Sequence, residues 1–142
     1  MLSAKKRRQL LGEITALMMK SSLHSEYRIC DMVTLVLPAI ENNQYRLYYN
    51  AKKQPVGYVS WAKLSDDIFD AYKNQTCFLK PSDWQSGKNL MFIDFIAPFG
   101  HAKTMIQELR ITIFPNDVGH FLRYTAVGKF KRVGRLKGVQ YR

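Results

Sequence analysis

The chain is poor in features that mark several common protein classes. It has two cysteines, Cys30 and Cys77, which lie far apart and form no C-x-x-C pair. A disulfide scaffold and a thiolate zinc site are therefore disfavoured, and we expect a reduced, intracellular chain with buried thiols. No run of about eighteen apolar residues is present either, so the sequence predicts no membrane-spanning helix.

Motifs for nucleotide and hydrolase chemistry are also missing. The sequence has no P-loop, no G-x-G-x-x-G and no G-x-S-x-G. Residues 135–138, RLKG, begin like a pyrophosphate-binding loop for coenzyme A, but the residues that follow do not open a helix. The three histidines, His24, His101 and His120, have no metal-ligand spacing, so we expect no metal site.

Size, apolar content and positive charge are what the chain does have. Its 142 residues are 46% hydrophobic and 13% aromatic, which is typical of one globular domain. The formal net charge is +11 and the pI about 9.8, and no acidic residue follows Asp117. This excess predicts an anionic partner, which could be a nucleic acid, a membrane surface or an acidic protein.

Apolar residues at helical spacing predict three long helices. The first covers residues 5–20, the second follows the stripe from Ile29 to Ile40, and the third covers residues 101–114. Pro38 is expected to kink or stop the second helix, because a proline ring cannot donate the helical hydrogen bond.

Alternating segments predict the strands of a sheet. Residues 44–50 and 56–64 read as a β-hairpin, and Ser65 is expected to cap a short helix after it. Residues 90–97, LMFIDFIA, predict a buried strand, and the basic tail from His120 is β-prone. The order of elements predicts a single mixed α/β domain, with a partly antiparallel central sheet flanked by helices.

Asp94 lies within this apolar strand and needs an explanation. Burying a lone carboxylate costs several kcal/mol unless it is paired or protonated. Alternation places Asp94 on the same face as Phe92 and Ile96, and both faces are apolar, so the strand should be central. Asp94 could accept backbone hydrogen bonds, pair with a cation, or serve a site near the strand's C-terminal end.

Five segments together resemble one family. They are SSLH, VLPAIENNQY, YVSWAKLS, DWQSG and FIDFIAPFG. In this order, from Leu11 to Gly100, they resemble the RTX toxin-activating lysine acyltransferases, the hemolysin-activating proteins of Gram-negative bacteria. The stretch IDFIAPFG is the most specific of them.

The resemblance implies a cytoplasmic enzyme with an N-acetyltransferase-like fold over residues 1–142. Such enzymes move a fatty acyl group from acyl carrier protein to internal lysines of an RTX protoxin, and no bound cofactor is implied. The family's catalytic residues fall on His24 and Asp94, and its serine falls on Ser22 or Ser21. A homodimer is implied by the resemblance only.

The sequence departs from the family pattern at several points. The proline that usually precedes Leu23 is missing, which leaves the choice between Ser21 and Ser22 open. Leu35 stands where an asparagine is usual, Met91 replaces a tryptophan, and the C-terminus is short. Altered activity and a different substrate are therefore both open.

The implied chemistry suits these residue types. A lysine amine with a pKa of about 10.4 is neutral in roughly one molecule in 2,500 at pH 7, so attack on a thioester needs a base. Histidine titrates near neutrality, and an aspartate beside it can orient the ring and stabilise the imidazolium. Alternatively, His24 or a nearby serine would carry the acyl group transiently.

Two further interpretations of the chain remain. A basic module that binds nucleic acid would explain the charge and the aromatic residues Tyr124 and Tyr141 of the tail, but not Asp94. A catalytically inactive partner of a protoxin would explain the departures from the family pattern.

Overall fold

The computed structural model describes residues 2–125 and 127–142, and its centre is one five-stranded sheet. The strands follow the order β1-β2-β3-β4-β5. Their bounds are Tyr45–Tyr49, Pro55–Leu64, Asn89–Ile96, Val118–Tyr124 and Phe130–Lys137. Each pair of neighbours is antiparallel except β3 and β4, which are parallel. The predicted mixed sheet, the β1–β2 hairpin and the central position of the Asp94 strand are confirmed, and the basic tail forms a second hairpin.

Helix α1, Ala4–Met18, confirms the first predicted helix. The side chain of Ser3 caps it by accepting a hydrogen bond from the Lys6 N–H at 3.0 Å. Helix α4, Asp66–Lys73, is capped in the same way by Ser65, as predicted. The third long helix begins as α5, Ala102–Glu108, and continues as a π-helical turn, Leu109–Ile113.

The second predicted helix runs through Pro38 instead of ending there. It consists of α2, Ile29–Asp31, a π-helical turn, Met32–Val36, and α3, Leu37–Glu41. Pro38 cannot donate to the Thr34 carbonyl four residues earlier, and the indole Nε1 of Trp84 donates to that oxygen instead, at 3.1 Å. A local widening of the helix, stabilised by a side chain from another element, thus accommodates the proline.

The same widening corrects the predicted apolar stripe. Ile29 and Val33 are 85% and 52% exposed, whereas Val36 and Ile40 are buried. A π-helical turn inserts one residue into the helical repeat. The apolar face before the turn therefore does not continue into the face after it.

Two apolar layers cover the two faces of the sheet. On one face, α1, α3 and α4 pack against residues that include Tyr58 and Ile96. On the other face, α5 and the turn after it pack against residues that include Trp61 and Phe92. The sheet is therefore buried on both sides at β2 and β3.

The parallel strands β3 and β4 separate before they end. They pair only where Leu90, Met91 and Phe92 face Gly119, His120 and Phe121. Strand β3 continues to Ile96 and β4 to Tyr124 without further pairing between the described residues. This opens a gap in the middle of the sheet, beside Asp94.

Among the described residues, no helix is both long and apolar enough to cross a membrane. The thiol prediction is wrong for Cys30, which is exposed, while Cys77 is half-buried.

We expect Trp84→Phe to destabilise the protein more than Trp61→Phe. Both changes remove the same ring atoms from a buried site, but only Trp84 donates a hydrogen bond to the Thr34 carbonyl. That carbonyl would lose its partner at a cost of about 1–3 kcal/mol. Chemical denaturation of both variants measures the difference, and equal losses would contradict the role given to the indole N–H.

Candidate active site

His24 is held by a short turn after α1. Residues His24–Glu26 form a single 3-10 turn, and His24 is only 6% exposed. The Ser21 Oγ lies 2.7 Å from His24 Nδ1 and also accepts the backbone N–H of His24 at 3.3 Å. Ser21 therefore holds both the ring and the backbone of the histidine three residues after it.

Asp94 lies in a β-bulge. Phe95 faces Val59 and Phe92 faces Trp61 across the β2–β3 pair, so Ile93 and Asp94 together oppose the single residue Ser60. The Ser60 Oγ, fully buried, accepts the Asp94 N–H at 3.1 Å. Bulges commonly redirect side chains beside active sites, and here Ser60 replaces the missing ladder partner.

The bulge also corrects the predicted face of Asp94. Phe92 belongs to the apolar layer beneath α5, whereas Ile96 packs in the layer beneath α1. Asp94 points to the α1 side, where it contacts His24 and Tyr27. In a regular strand, Asp94 would share a face with Phe92. The extra residue of the bulge shifts this two-residue alternation by one, so the two side chains lie on opposite faces.

The Asp94 carboxylate has two partners on one oxygen. His24 Nε2 lies 3.4 Å from Oδ1, and the Tyr27 hydroxyl donates a 2.5 Å hydrogen bond to the same atom. Oδ2 is buried and has no hydrogen-bond partner among the described residues. Burial, and then the negative charge of Asp94, raise the pKa of Tyr27 far above its ordinary value, so this hydroxyl stays protonated and donates.

Three more tyrosines surround the carboxylate. Burial is the main cause that raises the pKa values of Tyr58, Tyr72 and Tyr124, and the charge of Asp94 adds to it in each case. All three phenols therefore remain neutral at physiological pH. The carboxylate is thus placed among side chains that can donate hydrogen bonds but add no negative charge.

A cavity of about 810 Å³ opens beside this pair. His24, Tyr27 and Asp94 border it, and most of the remaining lining is apolar. The lining comes from both sides of the sheet, since Leu79 packs in the α4 layer and Leu109 in the α5 layer. The cavity therefore passes through the gap between β3 and β4.

Charged residues also border the cavity. They are Arg123 on β4, Arg135 on β5 and Asp31 of α2. Leu35 lies in the wall as well. A mostly apolar cavity with a few polar groups is the usual form of a small-molecule site.

The structure separates the sequence candidates. His24, Asp94 and Ser21 come together, whereas Ser22 only offers its carbonyl to the Ser25 hydroxyl. His101 precedes α5, and His120 packs on the Phe69 ring; neither borders the cavity.

Sequence reasoning missed Tyr27 and Ser60. Tyr27 lies three residues after His24, a spacing that could have suggested a shared turn. The buried Ser60 carries no local signal, because its role depends on the bulge in another strand.

Within residues 2–125 and 127–142, no three histidine, cysteine, aspartate or glutamate side chains cluster as metal ligands would.

Comparison with known proteins points to one family. Residues 3–137 match the RTX toxin acyltransferase family, HlyC. The chain is 38% identical over 129 residues to the leukotoxin-activating lysine-acyltransferase LktC of a Pasteurella haemolytica-like species, covering 89% of this chain and 74% of that protein.

Two other relatives are comparably similar. The RTX-II toxin-activating lysine-acyltransferase ApxIIC of Actinobacillus pleuropneumoniae is 37% identical over 130 residues, which cover 91% of this chain and 80% of that protein. The protein-lysine myristoyltransferase RtxC of Kingella kingae is 40% identical over 128 residues, which cover 90% of this chain and 75% of that protein.

We expect Tyr27→Phe to lower the free energy of unfolding by about 1.5–3 kcal/mol, because a buried hydrogen bond to a carboxylate is lost. Tyr49→Phe is the matched control, since its hydroxyl also donates to a carboxylate, that of Glu13, but at an exposed site. There the loss should stay below about 1 kcal/mol. Similar losses for the two variants, measured by urea denaturation, would argue against a strong Tyr27–Asp94 interaction.

Proposed function

The chain belongs to the RTX toxin acyltransferase family, and we propose that it transfers a fatty acyl group from acyl carrier protein to internal lysine side chains of an RTX protoxin. The observation that carries this proposal is the His24–Asp94 pair, 3.4 Å apart, beside a largely apolar cavity. A base, its orienting carboxylate and an apolar site for a long chain are the parts that such a transfer needs.

His24 Nε2 is the proposed base. With Ser21 at Nδ1, the ring can donate Nδ1–H to the serine oxygen and keep the lone pair of Nε2. Nε2 lies beside Asp94, and both residues border the cavity. Ser21 is in this interpretation a positioning residue, which selects the tautomer that leaves Nε2 free to take a proton.

Asp94 is proposed to bind the incoming lysine as well as to support His24. Its Oδ2 is buried without a partner in the described part of the chain, and leaving such an atom unpaired is costly. An ε-ammonium group between Oδ2 and Nε2 would satisfy both acceptors. The buried carboxylate would then attract the cation and stabilise the imidazolium that forms next.

The transfer balances with His24 as the base and water as the final acceptor of one proton. Nε2 takes the first proton from the lysine ammonium and releases it to solvent, and the neutral amine attacks the thioester carbonyl. Nε2 then takes a second proton from the nitrogen of the tetrahedral intermediate, and the imidazolium gives it to the thiolate as the carbon–sulfur bond breaks. The products are an amide on the lysine, a free thiol on the carrier and one proton in solution.

Direct transfer is favoured over a serine acyl carrier. Neither Ser21 nor Ser22 is among the described residues that border the cavity, so an acyl chain in the cavity would not reach them without rearrangement. The Ser21 hydroxyl is also engaged with both the ring and the backbone of His24.

The positive charge supports an acidic carrier as donor. Arg123 and Arg135 border the cavity, and the β4–β5 hairpin adds exposed bases that include Lys131 and Arg132. Acyl carrier proteins are strongly acidic, so a basic face beside the cavity would speed their encounter. We therefore propose the carrier protein in preference to free coenzyme A.

The remaining parts of the proposal follow from family membership. We propose that residues 1–142 act as one acyltransferase domain of N-acetyltransferase-like fold and that it works in the cytoplasm. Helix α1 packs on β2, and β5 is an edge strand of the same sheet, which supports the single domain.

Asp94→Asn should lower the acylation rate per folded molecule by about a hundredfold or more, because the charge that supports the imidazolium is lost. His24→Ala should lower it at least as much. Stability should change less, since replacing Asp94 removes a buried charge. Intact-mass spectrometry of the protoxin gives the rate, and thermal unfolding gives the folded fraction.

Asp31→Asn is the matched control for this experiment. Asp31 also borders the cavity, but its carboxylate accepts the backbone N–H of Arg28 in a local turn. Removing the charge of Asp31 should leave the acylation rate near that of the wild type. A near-normal rate for Asp94→Asn would instead assign Asp94 to structure alone.

The preference for one acyl donor over the other provides a second test. The value of kcat/KM should be higher with acyl carrier protein than with acyl coenzyme A, and should fall as salt rises. Arg132→Glu, on β5, should weaken the reaction with the carrier. Lys52→Glu, in the turn at the opposite sheet edge, should not. Equal use of both donors at every salt concentration would refute a carrier-directed surface.

A further inference from the structure

We propose that Gly119 and Gly134 set the length of acyl chain that the cavity accepts, because each glycine provides the space for a phenylalanine ring in the cavity wall. The proposal rests on the proposed acyl transfer and adds to it the residues that select the chain.

The two rings lie where the central strands separate. Phe92 on β3 faces Phe121 on β4, and this is the last paired position before the gap. Both side chains border the cavity and belong to the apolar layer beneath α5. They therefore form the part of the wall that an acyl chain meets on passing through the sheet from the His24 side.

Each ring lies directly over a glycine of the next strand. A Cβ atom at Gly119 would lie 2.3 Å from Phe92 Cε2, and one at Gly134 would lie 2.3 Å from Phe121 Cζ. Such separations are far below van der Waals contact. Gly134 is moreover the register partner of Phe121, so the ring lies flat across the opposing strand.

Backbone conformation does not explain these glycines. The described glycines with positive φ are Gly100 and Gly128, so Gly119 and Gly134 have angles that any residue could adopt. Glycine in the interior of a strand weakens it, and often marks a place where another group approaches closely. Here the approaching group is the aromatic ring.

A methyl group at either position would displace the ring, and because the ring borders the cavity, we expect it to move into that space. The cavity would become shorter or narrower on the α5 side, while Asp94 contacts His24 and Tyr27 on the α1 side. The kcat/KM should then fall more for long acyl chains than for short ones. Hydrophobic sites discriminate about 10- to 200-fold per methylene, so displacing a whole ring should have a large effect.

The experiment compares Gly119→Ala and Gly134→Ala with wild type. Acyl carrier protein is loaded with saturated chains from octanoyl to palmitoyl, and kcat/KM is measured for each. We expect the palmitoyl-to-octanoyl ratio to fall by about tenfold or more in either variant. Gly12→Ala is the control, because a Cβ there meets nothing within 4 Å, and it should leave the ratio unchanged.

A second variant keeps the test valid if either alanine variant fails to fold. Phe121→Leu widens the cavity at the same wall and should raise the palmitoyl-to-octanoyl ratio of kcat/KM. In combination with Gly134→Ala, it should restore the kcat/KM for palmitoyl chains. An unchanged ratio in folded Gly134→Ala, or in Phe121→Leu, would overturn the proposal.

Binding of free fatty acids separates this proposal from the proposed function. Calorimetry with the same series of chain lengths reports the size of the cavity without any transfer. Suppose that the wild type acylates no protoxin, but that the fatty acid that Gly134→Ala binds best is shorter than the one that the wild type binds best. The proposed function then fails and the glycine proposal stands. If instead the wild type acylates the protoxin and the variants prefer the same chain length as the wild type in both assays, the proposed function stands and the glycine proposal fails.

Discussion

A single buried carboxylate is the constraint to which the rest of the site is fitted. Asp94 lies in the central strand, 2% exposed, with apolar layers on both sides of the sheet. Its backbone N–H donates to Ser60, its Oδ1 accepts from the Tyr27 hydroxyl, and His24 Nε2 lies 3.4 Å from the same oxygen. Because an unsatisfied charge at such depth would be costly, the hydrogen bonds at Asp94 stabilise the fold as well as shaping the candidate site.

Two local irregularities produce the shape of the site. The bulge in β3 turns Asp94 towards the α1 face, and the early separation of β3 from β4 opens the sheet beside it. A regular sheet would have placed Asp94 on the other face and closed the gap. The π-helical turn before Pro38 is a third irregularity, and it contains Thr34 and Leu35, which border the cavity.

The proposed transfer would account for the mixed composition of the cavity. A lysine side chain would need acceptors for its ammonium group, and His24 and Asp94 offer these on the α1 side. An acyl chain would need apolar walls, and the apolar lining extends through the gap towards α5. Under that proposal the two substrates would lie on opposite faces of one sheet, with the basic hairpin β4–β5 at the edge proposed for the carrier protein.

The sequence alone predicted the mixed α/β class, the first hairpin and the central strand, because helical and strand periodicities are local. Its resemblance to the family selected His24 and Asp94 as site candidates, because the segments that carry them are short and contiguous. It could not predict the bulge, which moves Phe92 and Asp94 to opposite faces, nor the roles of Ser60 and Tyr27. Those depend on contacts between segments up to 67 positions apart. Only the tertiary structure decides the bulge and these two roles. The pairing register and the surroundings of a buried carboxylate depend on several segments of the chain at once.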